Sequence, residues 1–178
     1  MISSQLSYHN ALVCSALLTG ILSFALIRRT ATQEITANRA PPSIDEGRVL
    51  CGSTVVSMLA SIIVGLRCGH AWLASSALCV GLASFNYWRK PEWGLRRDVD
   101  ITGAATFLSL HVFLAFRPEN HDAVVATYAV AMSFFAIATT SWAWEWRYGH
   151  WAHCAFHLTA TLGNCLVYVE LMRSGFSY

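Results

Sequence analysis

Apolar residues run almost unbroken along this chain, and the charged ones gather in a few short stretches between the runs. Nearly charge-free segments occur at residues 10–27, 49–66, 70–87, 100–116, 122–142 and 148–172. Several have the roughly 17–25 residues that a helix needs to cross a bilayer. Lipid offers the backbone no hydrogen-bond partner, so a helix, which satisfies its own peptide groups within one segment, is the economical way across. The runs are continuous rather than alternating, which fits the dyad pattern of β-barrel strands poorly. The pattern predicts an all-α, polytopic transmembrane bundle of about six helices in a single domain over residues 1–178, with both termini on the outer side.

Some segments carry further detail. The third run, AWLASSALCVGLAS, is short and rich in Ala, Ser and Gly, a composition that lets backbones approach closely and predicts a packed interior helix. It should form a hairpin with the second run through the tight Leu66–His70 turn. The first run has no positive residue before it and Arg28 and Arg29 after it, so it is expected to stay in place rather than be cleaved as a signal peptide. The polar loop 28–48 ends on Pro41, Pro42 and Ser43 with Asp45 and Glu46 just beyond, a turn leading into a helix start. That loop is a linker by default, with a lid and a docking arm as alternatives.

Composition agrees with the pattern. Hydrophobic residues make up 55% of the 178 and charged ones only 12%, about half the charged share of a soluble domain. Charge then sets orientation. Six spans place 28–48, 88–99 and 143–147 on one side, which holds nine of the 12 Lys and Arg residues. The positive-inside rule makes that side cytoplasmic, or its matrix or stromal equivalent. Six of the 7 tryptophans lie near the same face, where indole rings anchor at the headgroup level. No phosphate-binding loop or basic tail points to nucleic acid. The 6 cysteines include no CxxC pair and read as small packing residues; Cys154 lies off the face of its histidine neighbours.

Chemistry concentrates in SWAWEWRYGHWAHCAFH, residues 141–157. His150, His153 and His157 fall at i, i+3 and i+7, and Thr161 and Asn164 extend the row into one polar stripe on the last helix. Such a stripe faces the bundle interior, because polar groups are costly against lipid. His153 and His157, at i and i+4, have the spacing by which a helix offers two imidazoles to one ion. Helix direction brings Ser84, Asp100, His153 and His157 to the same end of the bundle, so that they are expected to line one cavity. Asp98 has Arg96 and Arg97 at hand as ion-pair partners, whereas Asp100 lies deeper and has fewer.

Ser84-Phe-Asn-Tyr-Trp88, then Asp100, then His153-Cys-Ala-Phe-His157 resemble the CREST superfamily of integral-membrane hydrolases. That superfamily includes alkaline ceramidases, adiponectin-receptor-like proteins and GPI-remodelling enzymes; its pattern is SxxxH, a following Asp and a final HxxxH. The resemblance covers about three helices. It implies a zinc-dependent hydrolase acting on a lipid amide or ester at the inner face. Zinc would lie on His153, His157 and Asp100, with Ser84 orienting water or an oxyanion and Asp98 or Glu145 shuttling protons. Two features depart from the family: Trp88 stands where its first histidine ligand belongs, and two helices rather than four separate the motifs. A second reading is a non-catalytic small subunit or assembly factor of a larger membrane complex. A third is a haem or quinone protein using His111.

Overall fold

The computed structural model describes residues 42–116, 121–144, 146 and 148–175. These form five α-helices and no strand: α1 (Ile44–Arg67), α2 (Ala71–Trp88), α3 (Leu95–Ala115), α4 (His121–Ala143) and α5 (Gly149–Arg173). Four of them, all but α2, are long and apolar enough to cross a membrane. The described residues are all-helical, and with four candidate spans the chain is a multi-pass membrane protein. The expected span 10–27 and most of loop 28–48 lie outside the described residues, as does Glu145.

The helix ends follow from local chemistry. Ser43 caps α1 through a reciprocal box, its hydroxyl accepting from the Glu46 N–H while the Glu46 carboxylate accepts from the Ser43 N–H at 2.8 Å. These two contacts satisfy amide donors that the first turn leaves free. At the far end His70 N–H donates to Gly65 O at 2.8 Å, and Gly69 turns with a φ of 80°, closing the anticipated hairpin. The turn into α3 passes through Gly94, at a φ of 130°, where an L side chain would be strained.

The helices pack in the order α4, α5, α1, α2, α3, and α3 touches α4 and α5 only lightly. The last helix is central, and among the described helices α2 lies between α1 and α3. Its small residues Ala74, Ala77, Gly81 and Ser84 are buried on one face, while Leu78, Leu82 and Phe85 on the other are exposed. Close approach is needed only on the side of α1, where an added Cβ at Gly81 would overlap Met58 and one at Gly65 would touch Ala74. Val56, Leu59, Ile63 and Leu66 of α1 also point outward, as lipid-facing side chains do.

Two apolar clusters close the bundle at its ends. Leu50, Tyr87, Trp88 and Cys154 form the first. Leu73, Leu114, Val124, Val167, Tyr168 and Leu171 belong to the second. Beside the second cluster, fully buried His111 is held by two hydrogen bonds, from Nδ1 to Phe107 O at 2.8 Å and between Nε2 and Tyr168 Oη at 2.9 Å. A carbonyl can only accept, so Nδ1 carries the proton and Tyr168 donates to Nε2. Tyr168→Phe is expected to destabilise the protein by about 0.6–1.7 kcal/mol, the range of interhelical hydrogen bonds in membranes, in unfolding titrations in mixed micelles.

Arg96 does not serve Asp98, as its position suggested. It pairs with Glu92 at 2.6 Å, and Lys90 reaches the same carboxylate at 2.8 Å. The turn folds these three together before α3 begins. The hydrogen bond from Lys90, reinforced by Arg96, holds the Glu92 carboxyl below the usual carboxylate range. Arg97 instead lies over the Trp93 ring, 4.5 Å from its centroid. Asp98 remains in the first turn of α3, where a negative charge complements the helix dipole.

Candidate functional site

A half-open cavity of about 110 Å³ lies between the two apolar clusters, lined by α1, α2, α3 and α5. Thr54, Ser57 and Ser61 line it from α1, Ser84 from α2, and His157, Thr161 and Asn164 from α5. Met58, Val80, Phe107 and Leu108 supply apolar wall. The polar side chains of the middle layer thus turn inward, away from lipid, as the cost of exposing them to hydrocarbon requires.

Ser84 and Asp100 meet because the Gly94 turn folds the start of α3 back along the end of α2. The Ser84 hydroxyl donates to Asp100 Oδ1, and both residues are buried. His157 Nδ1 lies 3.0 Å from Ser53 Oγ and 3.5 Å from Thr54 Oγ1. Ser84 and His157 line the same cavity.

His153 occupies a different environment one turn earlier on α5. Its ring stands 5.3 Å from Trp88, 5.2 Å from Trp142 and 4.6 Å from His157 between centroids. The Trp88 contact is edge-on. His153 Nδ1 and Trp142 Nε1 are both buried without a hydrogen-bond partner. His150 Nδ1 lies 3.4 Å from Glu46 Oε1 but makes no hydrogen bond to it.

The described residues do not complete a zinc site. Among the described residues no group of three His, Cys, Asp or Glu side chains is placed to hold a metal ion. The expected set of His153, His157 and Asp100 is two adjacent imidazoles and a carboxylate bonded to Ser84. Trp88, only 4% exposed, fills the space beside His153, and an indole N–H cannot ligate a cation because it has no lone pair to give. Asp98 is partly exposed and does not line the cavity. His111 has both ring nitrogens engaged, which leaves none for an axial haem bond.

Ser53, Thr54, Ser57 and Ser61 are polar site residues that sequence reasoning passed over. Their signal was present: Thr54, Ser57 and Ser61 fall at i, i+3 and i+7 in an apolar span, the same face-forming pattern as the stripe on α5. Cys154 is buried with its thiol 4.0 Å from Val49 O, away from the cavity lining, in keeping with its packing role. The site stands on its own chemistry: no protein family, curated protein or solved structure matches the chain.

Proposed function

We propose that the protein holds the polar head of a lipid-like amphiphile in the cavity between α1, α2, α3 and α5 and does not hydrolyse it. The observation that carries this reading is Trp88. A hydrolase resembling the CREST pattern needs a third imidazole at position 88, and an indole is packed there against His153 instead. With the metal donors incomplete among the described residues, Ser84 and His157 on the cavity wall serve as hydrogen-bonding groups for a ligand.

Orientation belongs to the same proposal. The Trp88 end, with Arg89, Lys90, Arg96 and Arg97 beside it, is the cytoplasmic, matrix or stromal face by the positive-inside rule. Trp144, Trp146 and Trp151 are exposed at that end and form a headgroup belt or the contact surface of a larger membrane complex, of which this chain would be a small subunit or assembly factor.

One observation favours the hydrolase as a second reading: His153 Nδ1 is buried, unpartnered and next to His157. Metal analysis separates the two. Protein purified without chelators is expected to carry well under one zinc per chain and to release no fatty acid from lipid amides or esters. Zinc at one ion per chain, lost in His153→Ala/His157→Ala, would overturn the binding reading.

A further inference from the structure

The cavity is half-open, and the packing around it leaves one side for the opening. Apolar clusters close the bundle at both ends. Three of the four sides are tied: α1 to α2 by the close approach at Gly65 and Gly81, α1 to α5 by the Ser53–His157 contact, and α2 to α3 by the Ser84–Asp100 hydrogen bond. The fourth side, between α3 and α5, is loose. The hydrogen bond from Tyr168 to His111 joins these two helices beside the second apolar cluster, away from the middle. Between Asp100 and His111 no residue of α3 is buried; all of 101–110 are half-exposed. Thus α3 is held at both ends and stands off in the middle, where its Ala104, Phe107 and Leu108 line the cavity together with Phe156 and Ala160 of α5. Ala104 and Ala160 lie well inside their helices, about 13–20 Å from either end at 1.5 Å per residue. In a hydrocarbon core about 30 Å thick, an opening at that depth leads into lipid and not into water.

We infer that the bundle takes its ligand sideways from the bilayer, through a mouth between α3 and α5 framed by Ala104, Phe107, Phe156 and Ala160, and that the ligand is a neutral single-chain amphiphile with a small head. The alkyl chain stays in the mouth against the two phenyl rings, and the head reaches the polar wall of Ser57, His157 and Thr161. Size limits the head: the void of about 110 Å³ is smaller than the roughly 150 Å³ that takes a benzene ring, so a phospholipid headgroup is too large for it. Charge limits it as well. No Asp, Glu, Lys or Arg lines the cavity, and an ion at mid-membrane is costly without a partner. The inference rests on the binding reading of the cavity and adds the route and the ligand class that the reading leaves open.

The test uses the full chain in nanodiscs with two photoreactive probes, dodecanol with a diazirine beside the hydroxyl and dodecanol with one at the far end of its chain. Peptide mass spectrometry reads the crosslinked residues. The first probe should mark the cavity wall at Ser57, His157 or Thr161, the second should mark Phe107 and Phe156, and excess plain dodecanol should remove both sets. Ala160→Trp, which plugs the mouth, should lose the cavity crosslinks, whereas Phe107→Ala, which widens it, should gain them, opposite changes that misfolding alone does not produce. Crosslinks to Leu59 and Ile63, exposed on the outward side of α1, should stay as in the parent in both variants. Crosslinks confined to such outward residues would overturn the inference, with the seam covered by another part of the chain such as the apolar run 10–27. So would cavity crosslinks that Ala160→Trp leaves intact. The binding reading fails separately, through cavity crosslinks that excess dodecanol does not remove or through zinc at one ion per chain.

Discussion

Replacing Trp88 by histidine is expected to give the protein a zinc site of one ion per chain. Position 88 ends α2 and faces His153 at 5.3 Å between rings, with His157 a further 4.6 Å on from His153. An imidazole at 88 would bring a third lone-pair nitrogen to two already adjacent, the count that catalytic zinc sites use together with a water. The substitution has a cost, because Trp88 is buried among Tyr87, Leu50 and Cys154. Truncating a core Trp to Ala costs about 3–5 kcal/mol, and His recovers part of that volume. Structural zinc contributes about 10–16 kcal/mol in small metal-dependent folds, more than enough to offset it. Trp88→His should therefore melt below the parent protein when metal-free and above it with zinc. Cobalt substitution should give a visible spectrum that Trp88→His/His153→Ala lacks. A folded Trp88→His protein that takes up neither metal would show that Trp88 is not what keeps the site incomplete.

Gly47→Ala is expected to destabilise the bundle by about 1–3 kcal/mol, the usual cost of overpacking, and Gly81→Ala by less. A Cβ at Gly47 would stand 2.5 Å from the Trp88 carbonyl oxygen and 3.2 Å from Pro91 Cδ. Both belong to backbone or a rigid ring, so α1 and α2 must separate where they hold Trp88. A Cβ at Gly81 meets Met58 Cγ and Sδ at the same 2.5 Å. The outer atoms of that unbranched side chain can rotate away, but its Cβ, 2.8 Å off, is fixed to α1; Ala recovers about 0.8–1 kcal/mol of helix propensity over Gly. Unfolding in mixed micelles, read by tryptophan fluorescence, compares the pair directly. Equal losses at both positions would show that the approach of α1 to α2 is uniformly tight rather than backbone-limited at Trp88.

Part of the site was legible in advance because it depends on direction and depth alone. Alternating helices bring Ser84, Asp100 and His153 to one end whatever their rotation, and those residues are found there. Rotation decided the rest. Asp100 turns to Ser84 rather than to the histidines, His153 turns into aromatic rings, and His157 turns to Ser53 across 104 residues. The small residues of α2 spoke correctly for close packing, but composition could not say on how many sides. Arg96 chose Glu92 over Asp98 because the turn at Gly94 brings the Glu92 carboxylate to it, a matter of loop geometry.

The amino-acid sequence by itself determined that this is a helical membrane protein with its charged residues between the spans. Both properties follow from run length and from backbone hydrogen bonds that close within a single segment. Only the tertiary structure decided which polar groups share a proton, and hence that Trp88 seals one imidazole while the other faces a cavity. A hydrogen bond between helices forms or fails over a few tenths of an ångström, and that distance is set by the rotation and approach of the packed helices, which no single segment specifies.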